Sequence, residues 1–170
     1  MQPLGKLWSC RCVFAAVVIL LPSAGSARAE TRHLPLTAWD AGAVNRARSG
    51  AIRRLRDLRC QGVFSDFQDP RGRTIQQNLD EQGTSATDYL QALPFVDGSR
   101  EPLCRKTKVA LAAAPGVPRV VVCPAFADFQ LRQPRLAESI LIHEALHTLG
   151  LGENPPSSVE ITARVEARCR

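Results

Sequence analysis

The sequence predicts an α+β domain in which helices pack against a short sheet. A run without a helix breaker covers 135–149, and two strand-like segments at 108–113 and 119–123 precede it. The chain has 170 residues, no internal repeat and no Gly/Ser linker. This length suits one ordinary domain.

Capping residues mark the expected helices. Asp40 can cap a helix that runs to about Cys60, although Gly50 weakens its interior. Pro134 suits the first turn of the longest run, because its fixed φ is already helical. The other expected segments are a loop over 65–73, a short helix or strand over 74–79, a short helix after Ser85, and a helix from Ser157 into Cys169.

The two strand candidates predict a hairpin. Residues 108–113 are mainly apolar, and residues 119–123 contain three consecutive valines. Pro115, Gly116 and Pro118 separate them and favour a turn.

The first 29 residues have the pattern of a secretory signal peptide. Lys6 and Arg11 precede an apolar run over 13–21, and an A-x-A cleavage site ends at Ala29. The apolar run is shorter than the roughly 20 residues that span a bilayer. We therefore expect an exported protein, periplasmic or extracellular, with one mature domain over 30–170 and no membrane anchor after cleavage.

The charge balance does not favour a nucleic-acid partner. The formal net charge is +6, but Lys6, Arg11 and Arg28 leave with the signal peptide, so 19 basic and 16 acidic residues remain. Aromatic residues make up 5% of the chain, which is few for a surface that stacks bases.

Four cysteines remain in the mature part, and an exported protein uses such an even set as disulfides. Cys104 and Cys123 flank the expected hairpin, so a bond between them would close its open end. Cys60 would then pair with Cys169 and tie the first helix to the penultimate residue. The alternative is a structural zinc site of four cysteines, but the sequence contains no C-x-x-C pair.

The run over 135–149 contains the pattern H-E-x-x-H, formed by His143, Glu144 and His147. Two histidines four residues apart lie on one helix face, so both imidazoles can bind one zinc ion at about 2.0 to 2.1 Å. Glu144 lies beside them, where it can take a proton from a water molecule that the metal activates. These three residues predict zinc-dependent hydrolysis of a peptide bond.

The segment 140–153 resembles the zincin superfamily of metallopeptidases, and in particular the elongated metzincin motif H-E-x-x-H-x-x-G-x-x-H/D. The resemblance implies that Gly150 turns the chain at the helix end and that Glu153 is the third zinc ligand. Two features depart from the motif. Glutamate replaces the usual histidine or aspartate, and the only methionine is Met1, so the methionine-containing turn beneath the metal is missing.

A second zincin geometry leaves other residues open as the third ligand. In gluzincins the ligand is a glutamate on a later helix, for which Glu160 and Glu166 are candidates. Glu160 has another explanation, because Ser157 and Glu160 match a capping box. An aspartate, another carboxylate or His33 also stays open as the third ligand, although His33, the remaining histidine, lies near the start of the mature chain and is expected to be a surface residue.

Zincins also present an edge strand that pairs with an extended peptide. Either 108–113 or 119–123 could supply that edge, unless the hairpin only covers the helix. Tyr89 could stabilise an oxyanion. Its position beside Leu90 and Leu93 favours packing instead.

These inferences describe a small exported zincin-like domain with two disulfides and one zinc ion per chain. We expect it to act as a monomer on a peptide or protein substrate. One alternative is a non-catalytic, zinc-stabilised binding module, in which protein side chains fill all four metal positions. Another is a basic protein that binds polyanions, with binding that falls steeply with salt.

Overall fold

The computed structural model describes residues 35–106 and 109–170. The expected signal peptide over 1–29, His33 and the first residue of the strand candidate over 108–113 lie outside the described residues. The described part combines helices with a small three-stranded sheet, which confirms the α+β class. The elements are α1 (Ala38–Leu55), α2 (Leu58–Gln61), α3 (Val63–Asp66), α4 (Ile75–Glu81), α5 (Ala86–Ala92), β1 (Phe95–Asp97), α6 (Pro102–Lys106), β2 (Leu111–Ala112), β3 (Val120–Val122), α7 (Phe126–Arg132), α8 (Pro134–Thr148) and α9 (Ser158–Arg168).

Helix α1 differs from expectation at both ends. Thr37 caps it instead of Asp40, because the Thr37 hydroxyl oxygen accepts a hydrogen bond from the Asp40 N–H at 3.1 Å. The helix also ends at Leu55 and does not continue to Cys60. The side chain of Asp57 caps α2, which starts a separate helical turn.

Gly50 allows α1 to lie close to α8. A Cβ atom at this position would overlap the Glu138 carboxylate. That carboxylate pairs with Arg54 at 2.6 Å, and both side chains are largely buried. Gly50 has a low helix propensity and weakens α1, but its lack of a side chain leaves space for the ion pair between α1 and α8.

Side-chain caps mark the shorter helices that the sequence predicted. Thr74 caps α4, so the segment 74–79 is helical and not a strand, and Ser85 caps α5. Helices α3, α6 and α7 were not predicted, and α3 includes the start of the expected loop over 65–73. Helices α3 and α7 have no side-chain cap, so the sequence carries no start signal for these two.

The sheet has three strands in the order β1-β3-β2. Strands β2 and β3 are antiparallel, with Leu111 opposite Val122, which confirms the hairpin. Strand β1 was not expected; it runs parallel to β3, with Phe95 opposite Val120. Because β3 is central, the expectation that 119–123 could supply an edge is wrong, whereas β2 lies at an edge.

Two disulfides join the expected cysteine pairs. The Cα atoms are 4.4 Å apart in Cys60–Cys169 and 5.2 Å apart in Cys104–Cys123. Disulfides are typical of proteins outside the cytoplasm. Among the described residues, no helix is both long and apolar enough to cross a membrane.

Helix α8 lies at the centre of the core. It packs against α1, α7 and α9 and against the strands β2 and β3. Every residue from 141 to 149 is buried. A helix covered in this way needs apolar residues on most faces, which explains the uncharged flanks of the histidine motif. The ionisable side chains of His143, Glu144 and His147 are the exceptions.

Candidate metal centre

The side chains of His143, His147 and Glu153 converge at one point beside α8. The two Nε2 atoms are 2.9 Å apart, and Glu153 Oε1 lies 3.2 Å from His147 Nε2 and 3.7 Å from His143 Nε2. A triangle with these sides has a central point about 2 Å from each corner, which matches the bonds of zinc to imidazole nitrogen and carboxylate oxygen. The three donors therefore fit a zinc ion in chemistry and in spacing.

The turn after α8 brings Glu153 towards the histidines. The N–H of Leu151 donates to the Leu146 carbonyl at 3.1 Å, and the N–H of Gly150 donates to the His147 carbonyl at 2.8 Å. These two bonds form a Schellman motif, which requires a positive φ at its glycine. Gly150 has a φ of 111°, as expected for the turning residue, whereas Gly152 has no positive φ.

Each histidine has a partner for its second ring nitrogen. His147 Nδ1 lies 2.7 Å from the Leu151 carbonyl oxygen, and His143 Nδ1 lies 2.9 Å from Thr162 Oγ1 on α9. Partners at Nδ1 fix the ring orientation and leave Nε2 to point towards Glu153.

Burial favours the neutral form of His143. This residue is 3% exposed. Burial, together with the smaller effect of the neighbouring His147, lowers the pKa of His143 to about 4. A neutral imidazole is the form that binds a metal, so His143 is ready to act as a ligand at neutral pH.

Glu144 is a buried carboxyl group directly beside the cluster, and it is 7% exposed. The pKa of Glu144 is raised to about 8, mainly by burial; a hydrogen bond from the Ala113 backbone lowers it in part, and the charge of Glu153 raises it. A carboxyl group with a pKa in this range can both take up and release a proton near neutral pH. Because Ala113 follows β2 directly, Glu144 also links α8 to the edge strand.

The other candidates lie apart from the cluster. The Glu160 carboxylate accepts hydrogen bonds from Ser157 N at 2.8 Å and from Ser157 Oγ at 2.7 Å, which completes the capping box of α9. Glu166 is exposed on α9. The buried Tyr89 donates to Thr148 Oγ1 at 2.8 Å, so its hydroxyl is engaged in the core. None of these three residues belongs to the cluster with the two histidines.

Sequence reasoning missed three contacts of the site. They are the Leu151 carbonyl, the Ala113 backbone and the Thr162 hydroxyl. Two of them are backbone groups, which leave no residue-type signal. Thr162 lies on another helix, and no spacing in the sequence connects it with His143.

Comparison of the chain with models of known protein families, with curated proteins and with solved structures finds no match. The function must therefore be inferred from the chain's own residues. The geometry of His143, His147 and Glu153, together with the buried Glu144, provides the strongest basis for that inference.

Proposed function

We propose that this protein is an exported, zinc-dependent metallopeptidase of the zincin type. The single observation that carries the proposal is the convergence of His143, His147 and Glu153 beside the buried Glu144. Three protein ligands are typical of catalytic zinc sites, which leave a fourth position for water or substrate. A closed, structural zinc site would need a fourth protein ligand, and the cluster found among the described residues has three.

The proposed roles follow from the atoms that face the cluster. His143 and His147 would hold the metal through Nε2, and Glu153 through its carboxylate. When bound, zinc supplies a Lewis acid that polarises a peptide carbonyl and lowers the pKa of water. The chain provides these ligands on a rigid frame, because both histidines lie on a buried helix.

Glu144 is the proposed general base. Its carboxylate would take a proton from the attacking water and pass it to the amine nitrogen that leaves when the peptide bond breaks. The backbone of Ala113 bonds to this carboxylate and orients it. Burial excludes bulk water, which would otherwise compete for the same proton.

The free edge of β2 supports a peptide as the substrate. Strand β2 pairs with β3 on one side, and within the described residues no strand pairs on its other side. An extended peptide can add to such an edge through backbone hydrogen bonds. Because Ala113 directly follows β2 and bonds to Glu144, a peptide on this edge would lie beside the general base.

Removal and return of zinc tests this proposal. The oxidised mature chain should hydrolyse a mixture of unstructured, fluorescence-quenched peptides, lose this activity in 1,10-phenanthroline, and regain it with one equivalent of zinc. The reason is that the metal supplies the Lewis acid for the reaction. Peptide hydrolysis that persists at full rate in the chelator, with no zinc left on the chain, would contradict the proposal.

A further inference from the structure

His143 receives its second contact from a different part of the chain. Thr162 Oγ1 lies 2.9 Å from His143 Nδ1, although the two residues are 19 positions apart and lie on α8 and α9. His143 is 3% exposed. Bulk water therefore has little access to replace the hydroxyl if it is removed, and a buried ring nitrogen without a partner is costly.

The two histidines differ in how they are held. The partner of His147 is the Leu151 carbonyl, which belongs to the turn directly after α8 and can only accept a hydrogen bond. The partner of His143 is a hydroxyl group, which can accept from Nδ1–H in the tautomer that leaves Nε2 free for a metal. The orientation of His143 thus depends on where α9 places a single side chain.

Helix α9 is held in place by contacts that do not involve the metal centre. The capping box of Ser157 fixes its start, and Ile161 and Val165 are fully buried in the core. At its other end, Arg168 Nε bonds to Asp66 Oδ2 at 2.8 Å. The disulfide of Cys169 follows directly. A hydroxyl carried by such a fixed helix can set the ring orientation of a neighbouring histidine.

We propose that Thr162 is a positioning residue of the metal centre, which orients the His143 ring so that Nε2 faces the metal. This inference depends on the proposed metal site, and it adds α9 to the parts of the chain on which that site depends. Partners of this kind typically contribute 10- to 100-fold to metal affinity.

The test compares Thr162→Ser with Thr162→Ala in the full mature chain. Serine keeps the hydroxyl, whereas alanine removes it, and both lose the same methyl group. We expect Thr162→Ala to bind zinc about 10- to 100-fold more weakly than Thr162→Ser, measured by competition with a chromophoric chelator. The visible spectrum of the cobalt-substituted chain should change in the alanine variant and stay like that of the parent in the serine variant.

Thr148→Val is the matched control. It removes the hydroxyl of a buried threonine on α8, which hydrogen-bonds to Tyr89 and to the Ala145 carbonyl and to neither histidine. Its zinc affinity should stay close to that of the parent.

The possible outcomes separate this inference from the proposed function. If the parent binds one zinc ion and the serine and alanine variants bind it equally well, Thr162 is not a positioning residue, although the metal site stands. Equal losses in both variants would overturn the inference in the same way, because the lost methyl group would then be the cause. A parent chain that binds no zinc would overturn both the inference and the proposed function.

Discussion

The variant Glu144→Gln is expected to keep its zinc and to lose peptide hydrolysis. Glutamine fills nearly the same volume but cannot take a proton from water, so the proposed general base is removed. Positioned bases of this kind contribute about 10²- to 10⁴-fold to the rate, and we expect kcat to fall by that factor. Glu144 does not belong to the ligand cluster, so zinc content should remain that of the parent.

Steady-state hydrolysis of the same quenched peptides, together with zinc analysis of each sample, measures both effects. Glu166→Gln is the control, because this glutamate is exposed on α9 and lies outside the cluster. It should behave like the parent. A Glu144→Gln chain with full activity would rule out Glu144 as the general base.

Removal of the Cys60–Cys169 disulfide is expected to have the largest effect on stability. The two cysteines are 109 positions apart, whereas Cys104 and Cys123 are 19 apart. A crosslink limits the unfolded chain more when it closes a longer loop, by about 4.7 kcal/mol for 100 residues and about 3 kcal/mol for 15. The double alanine variant at Cys60 and Cys169 should therefore lose about 4 to 5 kcal/mol of unfolding free energy.

Urea unfolding of the metal-free chain, with the double alanine variant at Cys104 and Cys123 beside it, measures this difference. Zinc is left out because bound metal would add its own contribution to stability. If the variant at Cys104 and Cys123 lost more unfolding free energy than the variant at Cys60 and Cys169, loop length would not determine how much these crosslinks stabilise the chain.

The parts of the fold that the sequence predicted correctly are those whose signals are local. Ser85 and Ser157 accept hydrogen bonds from N–H groups three residues ahead, so their helices could be located from short patterns. Pro134 stands at the first position of α8, again as its backbone preference suggests. The position of Glu153 beside the histidines also has a local signal, because it depends on the turn at Gly150.

The features that were missed depend on contacts between distant segments. Strand β1 has three residues, too few for an alternating pattern, and it forms through parallel pairing with β3. This pairing makes β3 central and leaves β2 at the edge. The residues of β2 and β3 alone do not indicate which of the two strands is central. Thr162 likewise reaches His143 only because α9 packs on α8.

The most direct test of the metal centre is the zinc content of the oxidised, folded mature chain, measured by elemental analysis beside Glu153→Ala and Glu160→Ala. We expect close to one zinc ion in the parent and in Glu160→Ala, and much less in Glu153→Ala, because Glu153 faces both histidines while Glu160 caps its own helix. Equal zinc in all three proteins would exclude Glu153 as a required ligand. A parent chain that holds no zinc after reconstitution would contradict the metallopeptidase proposal.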